Sequence, residues 1–155
     1  MPTMCVLNGL TIAGGLLFAL MCDFRVMHTL GDKNFVCLSE INIGISLTPA
    51  LGAMVKYQLD PQAARLLSYG GRFNAKKSLE LKVVDYIYSE NAELTAILTA
   101  FAKEYAPKGV HRLALKDLKE NLHAETHKYL VNGGLTYLEI MNAKPFDLGI
   151  LKGKL

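Results

Sequence analysis

The sequence has 155 residues, of which 51% are apolar and 20% are charged, and this mixture is typical of one globular domain with a buried core. The formal net charge of +3 lacks the concentrated Lys and Arg of a nucleic-acid-binding surface, so composition argues against that class. The three cysteines, Cys5, Cys22 and Cys37, form no C-x-x-C pair and have apolar neighbours. They therefore indicate buried free thiols in a reducing compartment and argue against a zinc site.

The amino-terminal part begins with an apolar strand and continues into the most apolar segment of the chain. The strand, at residues 5–7, has no earlier element with which to pair, so we expect the sequence to begin within a larger fold. The segment 10–22 is too short to span a bilayer and lacks the positive leader of a signal peptide. We therefore predict that this segment belongs to the core and that the chain has no transmembrane span.

Short strands and helices alternate over residues 1–90. Turn residues follow the first strand at Asn8 and Gly9, and N-capping residues precede two helices at Asp60 and Asn74. The pattern predicts strands at residues 5–7, 24–28, 35–38 and 83–88, and helices at 16–22, 50–57, 61–68 and 75–81. The segment that begins with Ser39 is predicted to be a loop.

The second half of the chain is predicted to be helical. Apolar residues recur at helical spacing from Leu94 to Tyr105 and indicate a helix that begins at Asn91. Pro107 breaks the chain, and one long helix is then predicted over residues 110–131, with a last helix over 135–143. The predicted organisation is an α/β unit at 1–90, a helical region at 91–143 and a tail at 144–155.

Three blocks of sequence resemble the crotonase (enoyl-CoA hydratase/isomerase) superfamily. Residues 6–23 have its strand, Asn-Gly turn, Gly-rich turn and helix, residues 39–45 resemble its "Pro-Glu … Leu-Gly-Ile" loop, and residues 63–85 resemble its "Gly-Arg … Gly-Leu-Val" run. The blocks occur in the family's order and together cover residues 4–90. The resemblance implies the C-terminal half of a ClpP-like β-β-α spiral, followed by an α-helical trimerisation-type region. The spiral's N-terminal turns, with the loop that gives a second oxyanion N–H, are expected to lie outside these 155 residues.

The turn at Ala13, Gly14 and Gly15 is the first candidate site. A helix that opens on glycine exposes backbone N–H groups to which a thioester oxygen can approach closely. The resemblance assigns one N–H of an oxyanion hole to Gly14, and substrate contacts to Ala13, Gly15 and Leu17. The alternative interpretation is that the glycine pair only allows tight packing of strand and helix.

Glu40 is the predicted catalytic base. Its apolar neighbours favour a carboxylate that exchanges protons with a substrate, and it matches the acid–base residue of the family; the alternative is an exposed loop Glu. Enoyl-CoA hydratases of this family carry a second Glu at the position of Leu17. A single carboxylate suits the transfer of a double bond from position 3 to position 2, so the resemblance implies a Δ3,Δ2-enoyl-CoA isomerase, closest to the plant-type peroxisomal isomerases.

Two other functions stay open on the sequence alone, a non-catalytic crotonase-like subunit that serves assembly of a larger complex and another acyl-CoA reaction such as thioester hydrolysis. The resemblance implies a fatty acyl-CoA ligand, no cofactor beyond the coenzyme A of the substrate, and a trimer-based homo-oligomer or larger complex. His123 and His127 have a metal-compatible spacing without the His-Glu-x-x-His order, so no metal site is predicted. The C-terminal Gly153-Lys154-Leu155 resembles a peroxisomal address, which leaves the peroxisome or the mitochondrial matrix as the expected location.

Overall fold

The computed structural model describes residues 1–131. Its strands are β1 (Met4–Leu7), β2 (Thr11–Ile12), β3 (Phe24–His28), β4 (Phe35–Cys37), β5 (Phe73–Asn74) and β6 (Tyr86–Tyr88). They form two sheets, in the strand orders β1–β3–β6 and β2–β4–β5. The first sheet is parallel throughout, whereas the second is parallel between β2 and β4 and antiparallel between β4 and β5. Successive turns of the chain thus add one strand to each sheet.

Helices connect and cover these strands. They are α1 (Gly14–Leu20), α2 (Pro49–Gln58), α3 (Pro61–Ser68), α4 (Ala75–Glu80), α5 (Asn91–Tyr105), α6 (Arg112–Leu122) and α7 (Ala124–Val131). Three 3₁₀ turns occupy Gly31–Lys33, Glu40–Ile43 and Ala106–Val110. The described part of the chain contains no helix long and apolar enough to cross a membrane.

The core lies between the sheets and the helices of residues 1–90. Helix α1 contributes Leu16, Leu17 and Leu20, and helix α3 contributes Ala63 and Leu67 at i, i+4 spacing. Side chains from β3, β4, α2 and the segment before β6 complete the same cluster. The predicted core segment 10–22 is therefore confirmed for one face of α1, although Phe18 and Met21 on its other face are exposed.

The capping residues fix where two of the helices begin. Asn74 Oδ1 accepts a hydrogen bond from Lys77 N at 3.0 Å, so the predicted N-cap of α4 is confirmed. Asp60 precedes α3 as predicted, but within residues 1–131 its carboxylate makes no capping hydrogen bond. Pro61 at the first helical position fixes the start of α3 instead.

Two predicted elements are wrong in extent. The strand predicted at 83–88 begins only at Tyr86, because the N–H groups of Val83 and Val84 both turn back to Ser78 O, at 2.8 and 3.2 Å. The long helix predicted at 110–131 is divided at His123 into α6 and α7. The break lets α7 pack against α2, where the rings of Tyr57 and His123 lie 4.7 Å apart.

Two further differences concern short elements and the end of the chain. Strands β2 and β5 were not predicted, because two residues are too few for an alternating pattern. The loop predicted at Ser39 is a 3₁₀ turn from Glu40 to Ile43. The helix predicted at 135–143 and the tail at 144–155 lie outside the described residues.

Candidate active site

The two main candidate residues follow neighbouring parallel strands. Thr11 and Ile12 of β2 are paired with Val36 and Cys37 of β4. Because parallel strands end at the same edge of a sheet, the residues that follow them are brought together. The chain after β2 enters the turn of Gly14, and the chain after β4 reaches Glu40 within three residues. The predicted site residues therefore share one edge of the second sheet.

A hydrogen bond joins the two segments at this edge. Ala13 N donates to Cys37 O at 2.8 Å, and Ala13 O accepts from Leu17 N at 3.0 Å as α1 begins. Ala13 has φ 52° and ψ −121°, which is a strained conformation for a residue with a Cβ and is found most often at functional sites. The two backbone hydrogen bonds of Ala13 thus stabilise a strained conformation of the turn.

Open space lies beside the two glycines of this turn. Gly14 is the first residue of α1, where a backbone N–H has no acceptor within its own helix. A Cβ built on Gly14 or on Gly15 would meet no atom of residues 1–131 within 4 Å. The turn therefore leaves room for a ligand atom to approach the backbone, as an oxyanion contact requires.

Leu17 follows Gly14 by three residues on α1. Its side chain is 7% exposed and belongs to the same core cluster as Leu16 and Leu20. The position carries no carboxylate, and a charged group buried there would need a partner to offset its desolvation. Glu40 is consequently the carboxylate that follows β4 at this edge, without a second one from α1.

Glu40 opens a 3₁₀ turn whose backbone is well fixed. Its carbonyl accepts from Ile45 N at 2.9 Å, and Gly44 ends the turn with φ 70°. The residue is partly buried, and its Oε2 atom is buried without a hydrogen-bond partner among residues 1–131. Buried polar atoms are nearly always satisfied in folded proteins, so an unpaired carboxylate oxygen is notable. It is an acceptor available to a bound molecule.

The predictions missed Asn42 and its contact with Gly70. Gly70 has φ +79°, and a Cβ at this position would lie 2.9 Å from the side-chain amide atoms of Asn42. The Gly70 carbonyl also accepts from the Cys37 thiol at 3.5 Å. The loop after α3 thereby closes against the turn that carries Glu40. The sequence signal was Gly70 followed by Gly71, which the pattern indicated only as the end of a helix.

A cation also lies near this edge. Burial raises the pKa of the Cys37 thiol. The positive charge of Arg72 lowers this pKa, and the negative charge of Glu40 raises it further. Both charged groups are therefore close enough to Cys37 to influence it. The Arg72 guanidinium lies over the ring of Phe35, 5.0 Å from its centroid. Arg72 is a further candidate for contact with an anionic ligand, and its sequence signal was only membership of the block at 63–85.

Metal binding finds no support in the described part of the chain. Within residues 1–131, no three His, Cys, Asp or Glu side chains lie close enough together to hold an ion. His123 contacts the ring of Tyr57. What the edge offers instead is a backbone N–H and a carboxylate, a pair that suits proton transfer next to a carbonyl group.

Comparison with known proteins identifies the family. The profile of the enoyl-CoA hydratase/isomerase family matches residues 1–145. The chain belongs to this family. The predicted crotonase resemblance is thereby confirmed, since the match covers all three sequence blocks and the helices that follow them.

Curated relatives include plant enoyl-CoA isomerases. The chain is 29% identical over 132 residues to "Enoyl-CoA delta isomerase 2, peroxisomal" of Arabidopsis thaliana, covering 84% of this chain and 51% of that protein. It is 33% identical over 95 residues to "Enoyl-CoA delta isomerase 3" of the same plant, covering 60% and 39%. The chain thus spans about half the length of the first relative and less than half the length of the second.

Solved structures of the family confirm the fold. The human mitochondrial delta3-delta2-enoyl-CoA isomerase superimposes with a TM-score of 0.69 at 26% identity, covering 86% of this chain and 50% of that one. An enoyl-CoA hydratase of Mycobacterium ulcerans superimposes with a TM-score of 0.65 at 25% identity, covering 81% and 53%. The predicted α/β crotonase class is therefore confirmed, whereas the roles of Gly14 and Glu40 remain predictions.

Proposed function

We propose that this chain carries the acid–base part of a Δ3,Δ2-enoyl-CoA isomerase site that acts on unsaturated fatty acyl-CoA. The proposal depends on Oε2 of Glu40, which is buried without a hydrogen-bond partner among residues 1–131 and lies at the sheet edge that also holds the open turn of Gly14. Two curated relatives bear the name enoyl-CoA delta isomerase, which supports the same reaction. Ala13 and Gly15 shape the turn, and Leu17 occupies the position of the second hydratase carboxylate.

The proposed reaction is a proton transfer in two steps. Glu40 removes a proton from C2 of a 3-enoyl-CoA, and the electron pair moves into the thioester carbonyl to give an enolate. The N–H of Gly14 donates to the enolate oxygen as its charge develops. The protonated Glu40 then returns the proton to C4, and the double bond stands between C2 and C3. No cofactor takes part, because coenzyme A belongs to the substrate.

The proposed site requires a second part. The resemblance assigns the other oxyanion N–H to a loop outside these residues, and one such donor is typically worth ~2.7–4 kcal/mol, or a factor of about 10²–10³ in rate. Full activity is therefore proposed for an assembly in which another segment or chain completes the site. A trimer-based homo-oligomer or a larger complex is the proposed setting.

A role in assembly is the second candidate function. It is favoured by α6 and α7, which bury none of their residues in the described part of the chain and expose Leu113, Leu122 and Leu130. Exposed apolar residues in such numbers are typical of a protein–protein contact surface. In this role the chain is a crotonase-like subunit without turnover of its own. Thioester hydrolysis is the remaining catalytic alternative, and it would use the same carboxylate to activate water.

The peroxisome is the proposed location. The plant isomerase 2 and two bifunctional enzymes among the curated relatives carry the word peroxisomal in their names. The human structural relative is mitochondrial, so the mitochondrial matrix is the alternative. Fluorescent fusions that keep or delete residues 153–155 test the choice, since a peroxisomal address at that end must be lost with them.

The variant Glu40→Gln tests the proposed chemistry. General acid–base groups typically contribute about 10²–10⁴ in rate, so isomerisation of a 3-enoyl-CoA is expected to fall by that factor while the unfolding midpoint stays unchanged. The matched control is Glu80→Gln, because Glu80 is an exposed carboxylate on α4. The assay follows conversion of the 3-enoyl-CoA and, in parallel, release of free coenzyme A.

The outcomes separate the three functions. Loss of isomerisation in Glu40→Gln alone supports the isomerase. Equal turnover in the parent and in Glu40→Gln contradicts it. Release of free coenzyme A that depends on Glu40 identifies a hydrolase. An oligomer in which a second segment or chain completes the site, and which still turns over neither substrate, fits the assembly role.

A further inference from the structure

A groove with an apolar floor lies between helices α2 and α3. Its volume is about 400 Å³, which is within the usual range for small-molecule sites. Its apolar lining includes Val55 of α2, Ala64 of α3 and Leu47, which precedes α2. Val55 belongs to the core cluster, and Leu47 and Ala64 pack against that cluster. The floor of the groove is therefore the outer surface of the core, and it can cover an alkyl chain from water.

Two cationic side chains line the same groove. Lys56 lies in the last turn of α2 and Arg65 in the last turn of α3, and both residues are exposed. Among residues 1–131, neither forms an ion pair. The carboxylate of Asp60, which lies between the two helices, pairs with Lys82 at 3.8 Å instead. The described lining of the groove thus carries two positive charges and no carboxylate, which favours an anionic ligand.

Gly52 of α2 keeps the groove open. It lies inside the helix Pro49–Gln58, where glycine is less favourable than alanine. A Cβ at Gly52 would meet no atom of the described residues within 4 Å, so packing in this part of the chain does not require a glycine. Gly52 lines the groove together with Val55 and Lys56 at i+3 and i+4, the spacing of one helix face. A larger side chain at this position would occupy space in the groove.

We propose that the groove binds a medium-chain alkyl carboxylate. The carboxylate lies between Lys56 and Arg65, because an arginine fork and an ammonium group both donate charge-assisted hydrogen bonds to carboxylate oxygens. The alkyl chain lies on the apolar floor beside Gly52. None of the residues predicted for catalysis lines this groove. The inference therefore stands whether or not Glu40 is a catalytic base.

Calorimetric titration of the full chain with octanoate tests the proposal. We expect saturable binding of octanoate, weaker binding of octanol, which lacks the charge, and no binding of octylammonium, which carries the opposite charge. A double variant with Lys56→Gln and Arg65→Gln should bind octanoate about tenfold more weakly or worse, because it loses both charge-assisted contacts. The matched control combines Lys76→Gln with Lys103→Gln, which removes the same charge from exposed positions outside the groove and should leave the affinity unchanged.

A variant that fills the groove supplies the second test. Gly52→Leu should abolish octanoate binding, whereas its unfolding midpoint should not fall, because leucine favours a helix more than glycine does. Amide NMR signals of the parent should shift on α2 and α3 when octanoate is added. If Gly52→Leu does not fold, the two double variants decide. Absence of saturable binding by the parent, full binding by a folded Gly52→Leu, an equal loss in both double variants, or shifts confined to the edge of Gly14 and Glu40 would overturn the proposal.

Discussion

The first 90 residues and the helices that follow them differ in how they use apolar side chains. In residues 1–90, each helix places apolar residues against the sheets, and the core cluster draws on all of α1 to α4. Helices α5, α6 and α7 bury none of their residues in the described part of the chain. Leu113 of α6 is 79% exposed, whereas Leu67 of α3 is completely buried.

The difference shows that an amphipathic pattern and a buried face are separate properties. Leu115, Leu118 and Leu122 repeat at helical spacing, and the sequence therefore predicts the helix correctly in this region. Burial requires a surface to pack against, and residues 1–131 cover these helices only in part. Packing is limited to contacts such as that between α7 and α2 and the ion pair of Lys119 with Asp23. Stability should accordingly reside in the sheets and in α1 to α4.

Truncation of one leucine in each region gives the largest expected contrast. Leu67→Ala should lower the free energy of unfolding by about 2–5 kcal/mol, because it leaves a cavity in a completely buried position. Its control, Leu118→Ala, removes a side chain that is 51% exposed and should change stability by about 0.5 kcal/mol or less. Urea unfolding of both variants makes the measurement. A comparable loss in Leu118→Ala would show that α6 is covered in solution and would remove the contrast.

Substitution of Gly70 is expected to destabilise the chain as well, but by less than the truncation of Leu67. Gly70→Ala should cost at least about 1–2 kcal/mol, because Gly70 has φ +79° and a Cβ there would lie 2.9 Å from Asn42. The control is Gly109→Ala, where a Cβ would meet no atom of the described residues within 4 Å. Thermal unfolding compares the two. Equal midpoints would mean that the contact between Asn42 and Gly70 does not fix the turn of Glu40.

The fold could be predicted where local chemistry decides it. Asn74 caps α4 through a bond to the residue three positions later, and Pro61 starts the preceding helix, α3, by its fixed φ, so both boundaries are visible in the sequence. The break at His123 is different, because it depends on the packing of α7 against α2. The early end of the strand predicted from Val83 likewise depends on Ser78, whose carbonyl takes the N–H groups that a strand would need.

The sequence predicted where the two main candidate residues lie, but not the contacts that support them, and the roles of both residues stay predictions. Gly14 and Glu40 belong to sequence blocks with a recognisable order, and their placement at one sheet edge follows from the parallel pairing of β2 and β4. The contact of Asn42 with Gly70 joins distant segments and leaves no periodic signal.

The ion pair between the two regions gives the smallest predicted effect and a dependence on pH. Lys119 Nζ lies 2.7 Å from Asp23 Oδ2. Burial by itself raises the pKa of Asp23, but hydrogen bonds from Lys119 and Thr3 outweigh it, so the pKa lies below its ordinary value. A carboxylate of this kind adds stability above its ordinary pKa, and this stability is lost as the pH falls through the lowered pKa.

Asp23→Asn should therefore destabilise the chain at neutral pH by about 0.5–1 kcal/mol, the range for a partly exposed pair after solvent screening. The parent should lose this advantage on acidification below about pH 4, while the variant should show a flatter stability curve there. Hydrogen exchange of α6 should increase in the variant, because Lys119 links that helix to the turn before β3. Lys116→Gln is the control, since Lys116 pairs with Glu120 on its own helix. If both variants retain the parent's acid dependence, the pair does not connect the two regions, and α6 depends for its position on its contact with α7.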